Sequence, residues 1–135
     1  MMSVQTTPSK ETRSANLEAI KETVLGYIEA WYKGEPERGV KSLHPELAKR
    51  IVRLNPETGR NTLEQMSSST LAKRWGSGDG KATPISHQLK KVTILDVYGH
   101  MASVKLEAAA WVDYMHLTKF NGEWVIVNIL WELKP

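Results

Sequence analysis

The sequence contains no cysteine. That excludes disulfide frameworks, thiolate catalysis and cysteine-based metal sites, and it fits a reducing compartment. Charge of neither sign dominates: 18 Lys and Arg stand against 15 Asp and Glu, a formal net charge of +3. The densest basic group is Lys49-Arg50 with Arg53, and Lys90-Lys91 is only a pair. Neither is the aromatic-interleaved basic run of a nucleic-acid surface, so no nucleic-acid partner is expected. No apolar run approaches the roughly 20 residues of a membrane-spanning helix, and the polar stretch 1–16 has no signal-peptide core. A soluble cytoplasmic protein with no membrane partner is the expectation. Gly76–Gly80 has no Lys-Ser/Thr after it, so it is not a phosphate loop. His44, His87, His100 and His116 show no close His-x-His or HExxH spacing. Neither a metal nor a cofactor is therefore expected.

What is present is enough apolar residue, 41% of 135 residues, for one core and one domain. Residues 1–14 are Ser/Thr-rich and aperiodic and read as a mobile tail before a single domain over 15–135. Ser14 is placed to cap the first helix. Leu17, Ile20, Val24, Tyr27, Ile28 and Trp31 then form one helical stripe, ended by Gly34. Pro36 opens a short second helix through about Leu43, with Val40 and Leu43 facing the core and His44-Pro45 stopping it. Leu47–Leu54 mixes strand and helix signals. A short strand at Leu63–Met66 and a helix over Thr70–Trp75 follow.

After Pro84 the pattern becomes strand-like. Ile85–Tyr98, Met101–Phe120 and Glu123–Leu133 read as three strands of an antiparallel meander, turned at Gly99-His100 and Asn121-Gly122. Helices first and a meander second predict an α+β fold, with N-terminal helices packed on a curved antiparallel sheet. The last strands carry apolar residues on both faces, as in Val125, Val127 and Ile129 against Trp124, Ile126 and Leu130. One face then needs the helices and the other a partner, so a homodimer through the sheet face is expected.

Three segments carry a resemblance: Y-I-E-A-W-Y-K-G-E-P-E-R at 27–38, L-H-P at 43–45, and D-Y-M-H-L-T-K-F-N-G-E-W-V-I-V-N-I-L-W at 113–131. In their order and spacing they resemble the NTF2-like (SnoaL-like) superfamily, over roughly residues 15–133. Within it the chain is most similar to the proteins labelled "putative lumazine-binding". The resemblance implies an NTF2-like cone with a deep pocket between helices and concave sheet. Members use that pocket for isomerisation, dehydration, hydrolysis, ligand binding or dimerisation alone.

Asp113 is the candidate catalytic residue. Alternation along the strand puts Trp111, Asp113, Met115 and Leu117 on one face, and Val112, Tyr114, His116 and Thr118 on the other. A carboxylate on an apolar inner face has its pKa raised by desolvation and suits proton transfer. The alternative is that it pairs with a backbone amide or a basic side chain of the next strand. His116 faces away from it and reads as a residue of a subunit contact. The candidate ligand-binding set is Tyr27, Trp31, His44, Trp111, Asp113 and Met115, with the aromatic rings stacking on a small planar organic ligand. His44 enters that set through the resemblance, which places it near the pocket mouth. Three functions follow in order: a binding module with an aromatic-lined pocket; a SnoaL-like isomerase, dehydratase or hydrolase using Asp113 as acid–base; and a structural dimer with no ligand.

Overall fold

The computed structural model describes residues 9–135. Helix α1 (Lys10–Lys33) begins earlier than expected, because Ser9 and not Ser14 is its N-cap, accepting from the Thr12 amide. Residues 10–14 are thus helical, and the rest of the expected tail, 1–8, lies outside the described residues. Gly34 ends α1 in the left-handed conformation, φ 66°, which a residue without Cβ adopts freely. Ile20, Val24, Tyr27 and Ile28 form its buried stripe, while Leu17 at the stripe's start is exposed.

Helix α2 (Pro36–Lys41) is shorter than expected and leaves Val40 exposed. Leu43 is buried, but as the first residue of strand β1 (Leu43–Leu54). The ambiguous stretch 47–54 is therefore strand. His44-Pro45 falls where the β1 register shifts, between Leu43 and Ala48. Strand β2 (Asn61–Ser67) and helix α3 (Ser68–Gly76) follow, the helix capped by Ser67. Two short 3-10 turns, Asp79–Ala82 and Ile85–His87, lead into the meander.

That meander has four strands: β3 (Lys90–Tyr98), β4 (Met101–Ala108), β5 (Trp111–Phe120) and β6 (Glu123–Leu133). The run 101–120, which reads as one strand, is broken at Ala109-Ala110. Tyr32 explains the break. Its buried hydroxyl accepts from the Ala109 amide at 3.0 Å and donates to the Leu89 carbonyl at 2.7 Å. A helix side chain thus supplies the partners that a turning backbone would otherwise lack.

The sheet runs β2-β1-β6-β5-β4-β3. All its pairings are antiparallel except β1 with β6, which are parallel, so the sheet is mixed. It is α+β as the element order predicts. Helix α1 packs across β3, β4 and β6, and α3 covers β1 and β2. The core lies between, built from Ile20, Val24 and Ile28 against Val104, Leu106, Leu117 and Ile126.

One irregularity sets which residues face inward. Leu117 pairs with Ile126 but His116 pairs with Asn128, so Val127 is an extra residue in β6. Such a bulge reverses the alternation beyond it. Trp124 and Ile126 face the helices before the bulge, and Ile129 and Trp131 face them after it. The simple alternation expected for β6 does not hold for this reason. Strand β5 is the unbulged partner, so its own alternation survives and Asp113 and His116 stay on opposite faces.

Candidate functional site

Beneath α1 and α3 the inner face of β1, β6 and β5 opens into a cavity of about 220 Å³. Five aromatic side chains line it: Tyr27 and Trp31 from α1, Trp75 from α3, Trp111 from β5 and Trp131 from β6. The rings meet edge to face. Trp31 and Trp111 have centroids 5.8 Å apart, Tyr27 and Trp75 5.7 Å, and Trp111 and Trp131 6.4 Å. Each ring is braced by the next, which fixes the shape of the wall.

At the floor is Lys49, a buried lysine of β1 that is only 5% exposed. It sits between Leu47 and Ile51, which alternate inward with it. From β1 it reaches over β6 toward β5. Its Nζ donates to the Tyr27 hydroxyl at 2.6 Å and stands 3.8 Å from Oδ1 of Asp113. It also lies over three aromatic faces, 4.7 Å from the Trp131 centroid, 5.3 Å from Tyr27 and 5.4 Å from Trp111. Cation–π attraction and a nearby carboxylate offset part of the cost of removing the ammonium from water.

Asp113 has no exposed surface. Its Oδ2 accepts from the Trp111 indole N–H at 2.9 Å. Oδ1 has no hydrogen-bond donor among the described residues. Burial raises the Asp113 pKa, against the opposing pull of the Lys49 charge, the Trp111 N–H and the Tyr27 hydroxyl. Burial likewise lowers the Lys49 pKa, with Asp113 opposing and Arg74 adding to the shift. Tyr27 is raised well above its usual value by burial and by the Asp113 charge.

These directions give a pH prediction. In Lys49→Met, Asp113 loses the charge that holds its pKa down, so the pKa climbs further. A folded-state pKa above the unfolded value, about 3.9, means the native state binds the proton more tightly. The contribution to stability is then complete below about pH 3.9 and lost as pH rises toward the folded value. Relative to wild type, Lys49→Met is expected to lose stability progressively from mildly acidic to neutral pH. Melting temperatures of both proteins across that range check it; a constant difference would contradict it.

The candidate residues separate in space. Tyr27, Trp31 and Trp111 line the cavity. Asp113 lies behind its wall, joined to it through Trp111 and Lys49. Met115 is buried in the core one step further along β5 and does not line it. His44 is also elsewhere. It packs edge-on against Phe120 with centroids 4.7 Å apart, and its Nδ1 accepts from the Glu46 amide. His116 is exposed on the outer face, with Nδ1 3.2 Å from the Asn128 side-chain nitrogen. Lys49, Trp75 and Trp131 were not in the candidate set. For Lys49 the signal was available: in L-A-K-R-I, strand alternation from Leu47 to Ile51 carries the lysine inward.

Among the described residues, no helix is long and apolar enough to cross a membrane. An NTF2-like protein of unknown function from Shewanella baltica has the same fold, with TM-score 0.70 and 16% identity over 96% of this chain and 99% of that one. A ketosteroid isomerase-like protein from Erwinia carotovora atroseptica matches at TM-score 0.60 and 13% identity, covering 89% of this chain and 98% of that one. A protein described as "Putative Scytalone Dehydratase" from Novosphingobium aromaticivorans matches at 0.56 and 12%, covering 94% and 89%. Identities this low establish the fold alone. No curated protein matches the chain. The family described as "Putative lumazine-binding" matches residues 15–132, nearly the whole described fold, and the chain belongs to that family.

Proposed function

We propose that the protein binds a small, flat organic molecule in the aromatic cavity, with an oxygen of that molecule hydrogen-bonded to Lys49 and Tyr27. The observation that carries this reading is the lysine itself. An ammonium has three protons to donate, and Lys49 gives one to Tyr27, while the nearest carboxylate oxygen is 3.8 Å away. A buried donor with unspent protons, opening on an apolar cavity, favours a ligand acceptor. The volume suits one or two rings: a cavity of about 150 Å³ takes benzene, and this one is about 220 Å³.

The test compares indan-1-one with indane, two ring systems of one size that differ by a carbonyl oxygen. Calorimetry is expected to show indan-1-one binding about tenfold or more tighter, a hydrogen bond to a charged group contributing about 1.5–3 kcal/mol. Lys49→Met is expected to erase the difference. Equal affinities in the wild-type protein would count against the reading.

The catalytic alternative uses Asp113 as acid–base, and its raised pKa is what favours it. Its carboxylate has no surface on the cavity, so a proton would have to pass through Tyr27 or Lys49. Binding therefore ranks first, with Asp113 as the positioning residue that holds Lys49 and Trp111 in place.

The outer sheet face supports a homodimer. Val52, Leu63, Tyr98, Met101, Tyr114 and Leu130 are exposed there, around a polar line in which Arg50 donates to Asn128 beside His116. Exposed apolar area of this extent on a curved sheet favours a covering surface. Sedimentation at micromolar concentration is expected to give a dimer, and Tyr114→Lys with Leu130→Glu a monomer. A monomeric wild type would rule the interface out.

A further inference from the structure

The cavity has an unbalanced charge. Two cationic side chains line it, Lys49 at the floor and the exposed Arg74 of α3 at the solvent side, and no acidic side chain lines it. Asp113, behind the wall, compensates Lys49. Arg74 forms no ion pair with a carboxylate among the described residues, although its charge is felt at Lys49. Between the two cations the wall is rings and aliphatic groups, Trp75 and Leu71 from α3 facing Trp111 and Trp131.

Resting on the reading that this cavity takes a flat molecule, we propose that its ligand is an aromatic oxyacid: a ring with a phenolic or carbonyl oxygen at one end and a carboxylate at the other. The oxygen meets Lys49 and Tyr27, the ring fills the aromatic slot, and the carboxylate meets Arg74 near the mouth. A guanidinium offers a planar fork that matches a carboxylate in two parallel hydrogen bonds. One unpaired cation matches one negative charge; a phosphate, nearer two, would call for a second. A carboxylate near the mouth also stays partly hydrated, which avoids burying another anion beside Asp113.

The experiment uses the full chain with 4-hydroxybenzoate and 4-hydroxybenzamide, which share ring, phenol and size and differ in charge. Calorimetry at low salt is expected to show the acid binding roughly tenfold tighter than the amide. Arg74→Gln, a surface change that leaves the core alone, is expected to remove most of that preference. Raising salt weakens the acid more than the amide, since the Arg74 contact is exposed to screening. Equal affinity for acid and amide, or a preference that survives Arg74→Gln, overturns the proposal. If neither compound binds while indan-1-one does, the oxyacid assignment fails and the cavity reading stands. If none of the three binds, both fail.

Discussion

Asp113→Asn is expected to destabilise the protein by about 3–5 kcal/mol, the range for removing one partner of a buried charge pair. For a chain of this length that is roughly 10–20 °C in melting temperature. The substitution keeps the shape of the side chain and removes its charge. Lys49 is left buried against three rings with no carboxylate beside it. Oδ2 also loses its ionic character as acceptor for the Trp111 indole. Lys49 can relieve part of the cost by releasing its proton, which its lowered pKa makes easier. The double variant Lys49→Met with Asp113→Leu separates the pair's net contribution from the penalty of breaking it. Replacing both charges by apolar groups of similar volume is expected to return stability to near the wild-type level. The pair would then be present for what it does at the cavity floor, and not for stability. A double variant as unstable as Asp113→Asn would contradict that.

Insertion of one alanine between Val127 and Asn128 is the second large effect. The bulge absorbs one extra residue, and a second one reverses the phase of the strand beyond it. If the hairpin at Asn121-Gly122 keeps the first half in register, Ile129 and Trp131 rotate outward. Each buried apolar side chain contributes about 1.5–3 kcal/mol, so a loss of on the order of 4–5 kcal/mol is expected. Trp131 would also leave the cavity, taking away the nearest ring to the Lys49 ammonium. Deletion of Val127 removes the extra residue and leaves Ile129 and Trp131 in their inward phase, and is expected to cost far less. Chemical denaturation of the two variants, followed by tryptophan fluorescence, makes the comparison. Equal losses would mean that β6 depends on the bulge itself and not on the phase it sets.

These two positions show why the sequence carries the fold further than the site. Local signals were strong for α1, for α3 with its Ser67 cap, and for the Asn121-Gly122 turn. Strand alternation puts Trp111 and Asp113 on one face and His116 on the other, as found, without saying which of the two faces the helices. What escaped depends on contacts between distant residues. The turn at Ala109-Ala110 is held by Tyr32, which is 77 positions away; the small residues Ala108–Ala110 mark a plausible site for a bulge, but not that the strand ends and turns there. The Val127 bulge sits in a run, W-V-I-V-N-I-L-W, that is apolar on both faces apart from Asn128, so apolar residues occupy the inner face in either phase. Lys49 was hidden by its neighbours: next to Arg50 and near Arg53 it looked like part of a solvated basic group, and only its strand phase sets it apart. Met115 is on the expected strand but packs in the core, and His44 lies in β1 and not at a helix end, packed against Phe120. Single-strand periodicity fixes a face; it does not say which faces of separate strands converge.

The central claim is that the Lys49 ammonium presents a proton to a ligand oxygen at the floor of the cavity. The carbonyl stretch of protein-bound indan-1-one, read by infrared difference spectroscopy, tests this most directly. A hydrogen bond from a cationic donor in a water-poor site is expected to shift the band to lower wavenumber than in hexane, to at or below its position in water. A bound carbonyl that absorbs at its hexane position would show that Lys49 does not meet the ligand, and would contradict the account.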